Sequence, residues 1–148
     1  MFCDIVTQDR PLFSGEVDMV VAPGSEGVLG ILPHHTPLLT TLSYGILIIK
    51  RSGREAAFAI AGGIMEVLPH RVTVLADIAE RSDEIDIERA HAARERADEM
   101  LTEGPPPDPG SAAAFEAQLR KAEVRIKVAR RARQRQPGSV SIRTPNEE

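Results

Sequence analysis

Three closely spaced glycines near the end of a predicted strand could form a phosphate-binding loop. Gly24, Gly27 and Gly30 lie in the segment PGSEGVLGILP. Dinucleotide and phosphate sites place closely spaced glycines before a helix, whose N-terminus then binds the phosphate. Here the spacing differs from that fingerprint, and Pro33 and Pro37 exclude the required helix. The chain also lacks a Gly-Lys-Ser/Thr phosphate loop, so the segment predicts ordinary turns.

The histidines and the cysteine offer no catalytic or metal site. His34 and His35 are adjacent, so their side chains diverge on an extended backbone, and no cysteine or carboxylate lies at metal-ligand spacing from them. Cys3 lies in or near the first predicted strand, where a buried structural thiol is the ordinary outcome. No acid–base or nucleophile constellation can be assembled. We therefore predict a non-enzymatic protein that needs no metal or cofactor.

Arginines in the second half of the chain could bind phosphate groups. Arg89 and Arg96 are seven residues apart and so lie on one face of a helix, where two guanidinium groups can hold a polyphosphate. Salt bridges with Asp86 or Glu95 are the competing interpretation, since exposed pairs are common and contribute about 1 kcal/mol or less. Residues 111–136 carry eight basic side chains and two acidic ones. This imbalance predicts that an acidic surface, in this protein or in a partner, binds the segment.

These residues must be positioned by a small fold. The chain has 148 residues with four Phe, one Tyr and no Trp, so its core must be built from Val, Ile, Leu and Ala. Up to about residue 79, short apolar stretches alternate with Gly, Pro and polar turns, as in strands. We predict an antiparallel β-sandwich over residues 1–84, with hairpin turns at 51–53 and 69–70. The residues expected on one buried face of an early strand are Val17, Met19 and Val21.

After residue 84 the apolar period changes from two to about 3.6, which predicts an antiparallel helical hairpin over residues 85–136. The first helix is expected to begin near Ile87 with Asp86 as its N-cap. Its expected inner face consists of Ala90, Ala93, Ala97 and Leu101. Prolines in EGPPPDPG end that helix, and a second helix is expected from about Ser111. Its expected inner face consists of Phe115, Leu119, Ala122, Ile126 and Ala129.

Alanine dominates both of these faces, so we expect docking weak enough to be reversible. The tail, residues 137–148, has no period and is predicted to be disordered. A lone cysteine, the lack of a secretory signal and the lack of an apolar run of about 20 residues predict a cytoplasmic protein without direct membrane insertion.

Three stretches of the chain resemble one protein family. They are RPLFSGEVDMVVAPGSEGVLGILPHHTPLLTTLSYGIL, GGIMEVLPHRVTVLADIAE and EIDIERAHAARERA. In this order, and over about residues 10–132, they resemble the epsilon subunit of bacterial and chloroplast ATP synthases. The resemblance implies a β-sandwich with a C-terminal helical hairpin. It also implies a non-catalytic subunit of an F-type, proton-translocating ATP synthase, peripheral to the cytoplasmic face of the bacterial cell membrane.

The resemblance implies that the sandwich binds the gamma subunit and the ring of c subunits. Val28 stands where relatives often carry a carboxylate, and the HH of LPHHTPLL departs from the more usual Gly-His. The residues implied for these contacts are Ser25, Glu26, Gly27, Val28, Leu29, Gly30, Ile31 and His35.

The hairpin resembles a regulatory element that either folds against the sandwich or extends toward the alpha/beta catalytic hexamer and inhibits ATP hydrolysis. Charge is compatible with the extended state, because a basic helix can bind acidic loops of the catalytic subunits. The basic residues implied in inhibition are Arg120, Lys121, Arg125, Lys127, Arg130, Arg131, Arg133 and Arg135.

ATP is the regulatory ligand that the resemblance implies. IDIERA is similar to the family's ATP-recognition motif, and LRKAEVRIKVA is similar to its second-helix pattern, with Lys121 where nucleotide-binding members carry Arg. The residues implied for ATP are Glu80, Ile85, Asp86, Arg89, Ala90, Arg96, Lys121 and Arg125.

Two other classes of function compete with this one. A free-standing ligand-binding β-sandwich with a helical interaction tail is compatible with the same pattern and would work without any partner subunit. Nucleic-acid binding through the basic helix is disfavoured, because Phe115 is the only aromatic residue there and the rest of the chain is acidic.

Overall fold

The computed structural model describes residues 1–104 and 108–134, and in this part of the chain eight strands precede two helices. The predicted tail and Arg135 lie outside the described residues. The strands are β1 Phe2–Val6, β2 Pro11–Glu16, β3 Met19–Gly24, β4 Gly27–Ile31, β5 Leu38–Arg51, β6 Arg54–Leu68, β7 Arg71–Ala76 and β8 Ala79–Arg81. The helices are α1 Ile87–Thr102 and α2 Pro109–Gln134.

Two long strands organise the sheet. The strand order is β2-β1-β7-β6-β5-β3-β4, and β8 pairs with β6. Strand β6 binds β7 through residues 63–68 and β8 through residues 58–60, so its two halves belong to different parts of the sheet. All pairs are antiparallel except β1 with β7, which are parallel. The predicted class, a mainly antiparallel β-sandwich followed by a helical hairpin, is confirmed.

Both predicted hairpin turns are present. Strands β5 and β6 are joined by Ser52 and Gly53, whose φ angles are 50° and 75°. Two consecutive residues with positive φ form the two-residue turn that suits the right-handed twist of paired strands. Strands β6 and β7 are joined by the two residues Pro69 and His70. Local turn chemistry therefore sets the register of the central hairpins.

The core differs from the prediction in β3. Val17 is buried as expected, but Val20 and Ala22 are fully buried, whereas Met19 and Val21 are only half-buried. Strand β2 ends at Glu16 and β3 begins at Met19, so Val17 and Asp18 lie in the connection and the alternation does not run through from Val17 into β3. In this connection the Asp18 carboxylate accepts from the Ser52 amide at 2.6 Å. The predicted face of β3 was therefore wrong by one residue.

Local capping defines both helices. The Asp86 side chain accepts from the Arg89 backbone amide at 3.0 Å, as expected for an N-cap. Helix α2 begins at Pro109, two residues earlier than predicted, because Asp108 accepts from the amides of Gly110 at 2.8 Å and Ser111 at 3.3 Å. Proline at the first helical position loses no hydrogen bond.

The last turn of α1 does not join the helix seam. Ala90 and Ala97 are buried and Ala93 is half-buried, as predicted, but Leu101 is 37% exposed. Asp98, Glu99 and Met100 are exposed as well, so the end of α1 projects beyond the packed part of the hairpin. The predicted inner position of Leu101 was therefore wrong.

Cys3 is a test of core burial. It has no exposed surface, and burial together with the charge of Asp4 raises the pKa of its thiol to about 12. The thiolate is the reactive form, so we expect the native protein to react with a disulfide reagent at pH 8 far more slowly than the protein in guanidinium chloride. Rapid labelling of the native protein would contradict the described core.

Candidate functional site

A cavity of about 300 Å³ lies where the sandwich meets the two helices. Strand β8, the connection from β8 to α1, the first turn of α1 and the middle of α2 each contribute to its wall. We call it the central cavity, and its lining residues are Glu80, Glu84, Ile85, Asp86, Arg89, Ala90 and Arg125.

Asp86 organises the α1 side of the cavity. Its carboxylate accepts from the Arg89 amide, which fixes the first helical turn and brings Arg89 and Ala90 to the cavity wall. Ala90 is 2% exposed, and its small side chain permits close packing of α1 in the fold. The same capping bond that starts the helix therefore also positions a guanidinium group at the cavity.

Glu80 and Arg125 join the sandwich to α2. The Arg125 Nε donates to one Glu80 carboxylate oxygen at 2.6 Å, and Nη2 donates to the other. This two-pronged geometry is the strongest form of an arginine–carboxylate pair. Both side chains remain about one-third exposed, which weakens the pair through solvent screening. The contact therefore joins α2 to β8 through a partly exposed ion pair.

Glu84 is a cavity residue that sequence reasoning missed. Its carboxylate accepts from Arg10 Nη2 at 2.6 Å, and Arg10 lies on the connection between β1 and β2. The two residues are 74 positions apart, and no motif or spacing links them. Only the parallel contact of β1 with β7, followed by the return of the chain in β8, brings them together.

Of the charged side chains that line the central cavity, some have a partner within the protein and one arginine makes no ion pair among the described residues. Glu80 is paired with Arg125, Glu84 is paired with Arg10, and Asp86 accepts from a backbone amide. Arg89 is exposed and makes no ion pair within the described residues. A cation at the cavity wall is therefore available to an anionic ligand, with Arg125 beside it.

Two residues predicted with this group lie elsewhere. Arg96 does not line the central cavity, and its Nε donates to the Ala92 carbonyl at 3.2 Å on its own helix. Seven residues correspond to about 10 Å along a helix, which separates Arg96 from Arg89 although both share a face. Lys121 lines a narrow neighbouring cleft that also includes Glu80 and Arg125.

Helix α2 docks on the sheet through a small apolar contact. Val128 is fully buried and packs with Ala57 and Ala59 of β6, and Val124 adds a partly buried contact. At the end of the helix, Arg131 Nη2 lies 3.1 Å from a Glu55 carboxylate oxygen. Glu55 and Glu80 thus provide, inside this protein, acidic partners for two residues of the basic helix.

Most of the other basic residues of α2 are exposed. Arg120 makes only a 3.7 Å pair with Glu116 of the same helix among the described residues. The exposed basic residues of α2 are Arg120, Lys127, Arg130 and Arg133. Lys121 is half-buried.

Comparison with known proteins matches both parts of the chain to domains of the same kind of protein. Residues 1–82 match the family described as ATP synthase, Delta/Epsilon chain, beta-sandwich domain. Residues 83–135 match the family described as ATP synthase, Delta/Epsilon chain, long alpha-helix domain. The chain belongs to the ATP synthase delta/epsilon family. The resemblance found in the sequence is therefore confirmed.

Relatives in the delta/epsilon family are similar over most of the chain. The ATP synthase epsilon chain of Dehalococcoides mccartyi strain CBDB1 is 52% identical over 130 residues, which cover 88% of this chain and 92% of the relative. The ATP synthase epsilon chain of Herpetosiphon aurantiacus is 50% identical over 133 residues, which cover 90% and 96%. The chain is thus an epsilon-type, non-catalytic subunit of an ATP synthase, which disfavours the free-standing sandwich.

Solved structures show the same fold. A chain in the mitochondrial ATP synthase of Euglena gracilis (OSCP/F1/c-ring, rotational state 1) superposes with a TM-score of 0.73 at 24% identity, covering 90% of this chain and 80% of that one. A chain from the central stalk and c-ring structure of the Tetrahymena thermophila mitochondrial enzyme gives 0.58 at 16% identity, covering 87% and 96%.

The segment of this delta/epsilon chain predicted to contact a rotor is not a simple loop. Ser25 and Glu26 form the turn, and residues 27–31 form β4. Ile31 has no exposed surface and belongs to the core, so its predicted contact with a partner needs correction. Val28 is 74% exposed beside a cleft of about 640 Å³ that includes Leu39.

His35 lies after β4, half-buried, with its Nδ1 2.7 Å from the Thr36 carbonyl oxygen. In residues 1–104 and 108–134, no helix combines the length and hydropathy needed to cross a bilayer. The same ranges contain no cluster of three or more His, Cys, Asp or Glu residues suited to a metal ion.

Proposed function

We propose that the central cavity binds ATP and that this binding favours the docked hairpin. The main support is that one cavity, where the sandwich meets the helices, is lined by Glu80, Asp86, Arg89 and Arg125. The arginines provide donors for phosphate oxygens, and the carboxylates provide acceptors for the amino group and the hydroxyls of a nucleoside.

The position of the cavity supports a regulatory role. Its walls come from the sandwich and from both helices, so a ligand that touches all three binds the docked state better than an undocked one. Only such a difference in affinity can shift the equilibrium between the states. At a concentration of 100 times its Kd, ATP would stabilise the docked state by about 2.7 kcal/mol.

The undocked hairpin is proposed to inhibit ATP hydrolysis. Docking engages Arg125 and Arg131 with Glu80 and Glu55, whereas Lys127, Arg130 and Arg133 already face outward. Release of the hairpin would expose the first two as well and present a nearly continuous basic helix. Such a helix suits acidic loops of the alpha/beta catalytic hexamer.

The sandwich is proposed to bind the gamma subunit and the c-subunit ring, and so to couple rotation to synthesis. Support comes from Val28 and Leu39, which are 74% and 70% exposed on one cleft beside Glu26. Exposed apolar side chains beside a charged rim are typical of an interaction surface. This assembly would hold the chain at the cytoplasmic face of a bacterial cell membrane, on a proton-translocating enzyme.

Isothermal titration of the full chain with ATP tests the nucleotide proposal. We expect one saturable site and a loss of about tenfold or more in affinity for Arg89→Ala, because a hydrogen bond to a charged group contributes about 1.5–3 kcal/mol. Arg94→Ala is the matched control, since Arg94 pairs only with Asp98, at 3.6 Å, among the described residues.

The same titration separates two hypotheses for Arg96. The sequence predicts that Arg89 and Arg96 hold the polyphosphate between them, so Arg96→Ala should also weaken ATP binding. The position of Arg96 outside the central cavity instead predicts a smaller loss than in Arg89→Ala. No heat at millimolar ATP in the unmodified chain would refute the nucleotide site and leave Asp86 with capping alone.

A further inference from the structure

A second cavity, of about 260 Å³, opens where the last turns of α2 cross β6 and the connection between β8 and α1. We call it the lateral cavity. Among the described residues that line the two cavities, Ile85 is the one that they share. Its lining residues are Glu55, Ala57, Ser82, Asp83, Ile85, Ile87, Ala129, Arg131, Ala132 and Arg133.

One part of the lateral cavity is apolar. Ala57 and Ala129 are buried, and Ile85, Ile87 and Ala132 are half-buried. Strand β6, the β8–α1 connection, α1 and α2 supply these side chains, so the complete apolar wall exists only while α2 lies on the sheet. Such a wall favours a hydrocarbon portion of a ligand, since ligand cavities are lined mainly by apolar side chains with a few polar groups.

The other part of the lateral cavity contains an unsatisfied donor. Arg131 is held by Glu55 through Nη2, but its Nε is buried and has no hydrogen-bond partner in the described part of the chain. A buried donor without an acceptor is unfavourable, and a native structure that contains one calls for an explanation. Because Nε has almost no accessible surface, an acceptor oxygen bound at the cavity would reach it only after the Arg131 side chain moves.

The charge around the lateral cavity favours an anion. Glu55 also contacts Lys50 at 3.4 Å, and the Asp83 carboxylate binds Arg81 at 2.7 Å. Each acidic residue of the lining therefore has a cationic partner outside it, and Glu55 also pairs with Arg131 inside it. Arg133 is exposed and makes no ion pair among the described residues, so it is the cation of the lining that the local carboxylates leave unpaired.

We propose that the lateral cavity binds an amphipathic organic anion, a small aliphatic carboxylate. Its carboxylate accepts from Arg131 and Arg133, and its chain lies against Ile85, Ile87 and Ala132. Guanidinium groups suit a carboxylate because their N–H groups match its two oxygens. The ligand stabilises the docked hairpin, because the elements that bind it meet only there.

Titration of the full chain with octanoate in the absence of nucleotide tests this site. We expect saturable binding with a millimolar Kd, and a loss of at least tenfold in Ala132→Phe, whose larger side chain occupies the apolar part. Ala114→Phe, at an exposed position of the same helix, is the matched control and should bind as the unmodified chain does. Circular dichroism checks that both variants keep their helices.

A second comparison keeps the proposal testable if Ala132→Phe unfolds the hairpin. Octanamide has the same chain but no charge, so it should bind at least fivefold more weakly than octanoate, and Arg133→Gln should reduce that difference. Equal binding of the acid and the amide, or undiminished octanoate binding in a folded Ala132→Phe variant, would overturn the proposal. An absence of saturable octanoate binding would also overturn it.

The two cavities share Ile85. The coupling expected between their ligands, called the link below, rests on the proposed nucleotide site. Octanoate at saturation should raise ATP affinity, and ATP should raise octanoate affinity by the same factor, because both ligands favour the docked state. Octanoate binding without any effect on ATP would contradict the link but retain the lateral site. Loss of ATP binding alone would refute only the nucleotide site.

Discussion

Val128→Asp is expected to release the helical hairpin while the sandwich stays folded. Val128 is fully buried against Ala57 and Ala59, in a cluster separate from the main sandwich core. The substitution removes about 1.5–3 kcal/mol of apolar burial and adds several kcal/mol for an unpaired buried carboxylate. The small docking contact cannot offset this cost. Hydrogen exchange should show deprotected amides in α1 and α2 and unchanged protection in β5 and β6.

The functional consequence follows from the same equilibrium. ATP binding to the isolated chain should be lost, because the central cavity requires α2. In a reconstituted enzyme, Val128→Asp should inhibit ATP hydrolysis more strongly than the unmodified chain, and ATP should no longer relieve it. Gln118→Asp, an exposed position on the same helix, introduces the same carboxylate and should change neither property. Global unfolding of Val128→Asp would show that hairpin and sandwich form one cooperative unit.

The elements predicted well from sequence are those defined by local chemistry. Asp86 caps α1 through an amide three residues away, and the turn of Ser52 and Gly53 joins two adjacent strands. Ala122, Ile126 and Ala129 are buried as their spacing indicated. In each case the deciding interaction spans only a few residues, so a pattern in the sequence contains the required information.

What could not be predicted depends on contacts between distant residues. The connection before β3 interrupts the alternation, and there Asp18 binds Ser52, 34 positions away. Glu84 enters the central cavity with Arg10, and neither side chain belongs to a motif. Apolar residues occupy both faces of β3, so alternation alone could not choose between Val20 and Val21. The sequence therefore predicted the strands and helices, but not the Arg10–Glu84 ion pair at the central cavity.

The charged contacts that dock the basic helix are individually weak. Glu80 and Glu55 bind Arg125 and Arg131 at partly exposed positions, where an ion pair contributes about 1 kcal/mol or less. The proposed release of the helix to an acidic partner would therefore break these pairs at little cost. Because the pairs are screened by salt, docking that depends on them should weaken as ionic strength rises, whereas the contact of Val128 should not.

Arg125→Glu is expected to abolish ATP binding and weaken docking together. The change removes one of the two arginines of the central cavity and places a second carboxylate opposite Glu80, where the bidentate pair now lies. Loss of hydrogen bonds to a charged group and the added repulsion should lower ATP affinity about 100-fold or more. Isothermal titration measures the affinity, and hydrogen exchange of α2 amides measures the docking.

The reciprocal variant separates the ion pair from the ligand contact. Glu80→Arg combined with Arg125→Glu restores opposite charges across the same gap, so α2 protection should recover. ATP affinity should recover only in part, because the guanidinium then extends from β8 and not from α2. Arg130→Glu makes the same charge change at an exposed position and should leave α2 docking and ATP affinity unchanged. If α2 protection stays low in the double variant, the charge reversal across the Glu80–Arg125 pair is not what undocks the hairpin in Arg125→Glu. If Arg125→Glu by itself leaves α2 protection unchanged, the pair does not hold the hairpin and the apolar contact around Val128 determines docking.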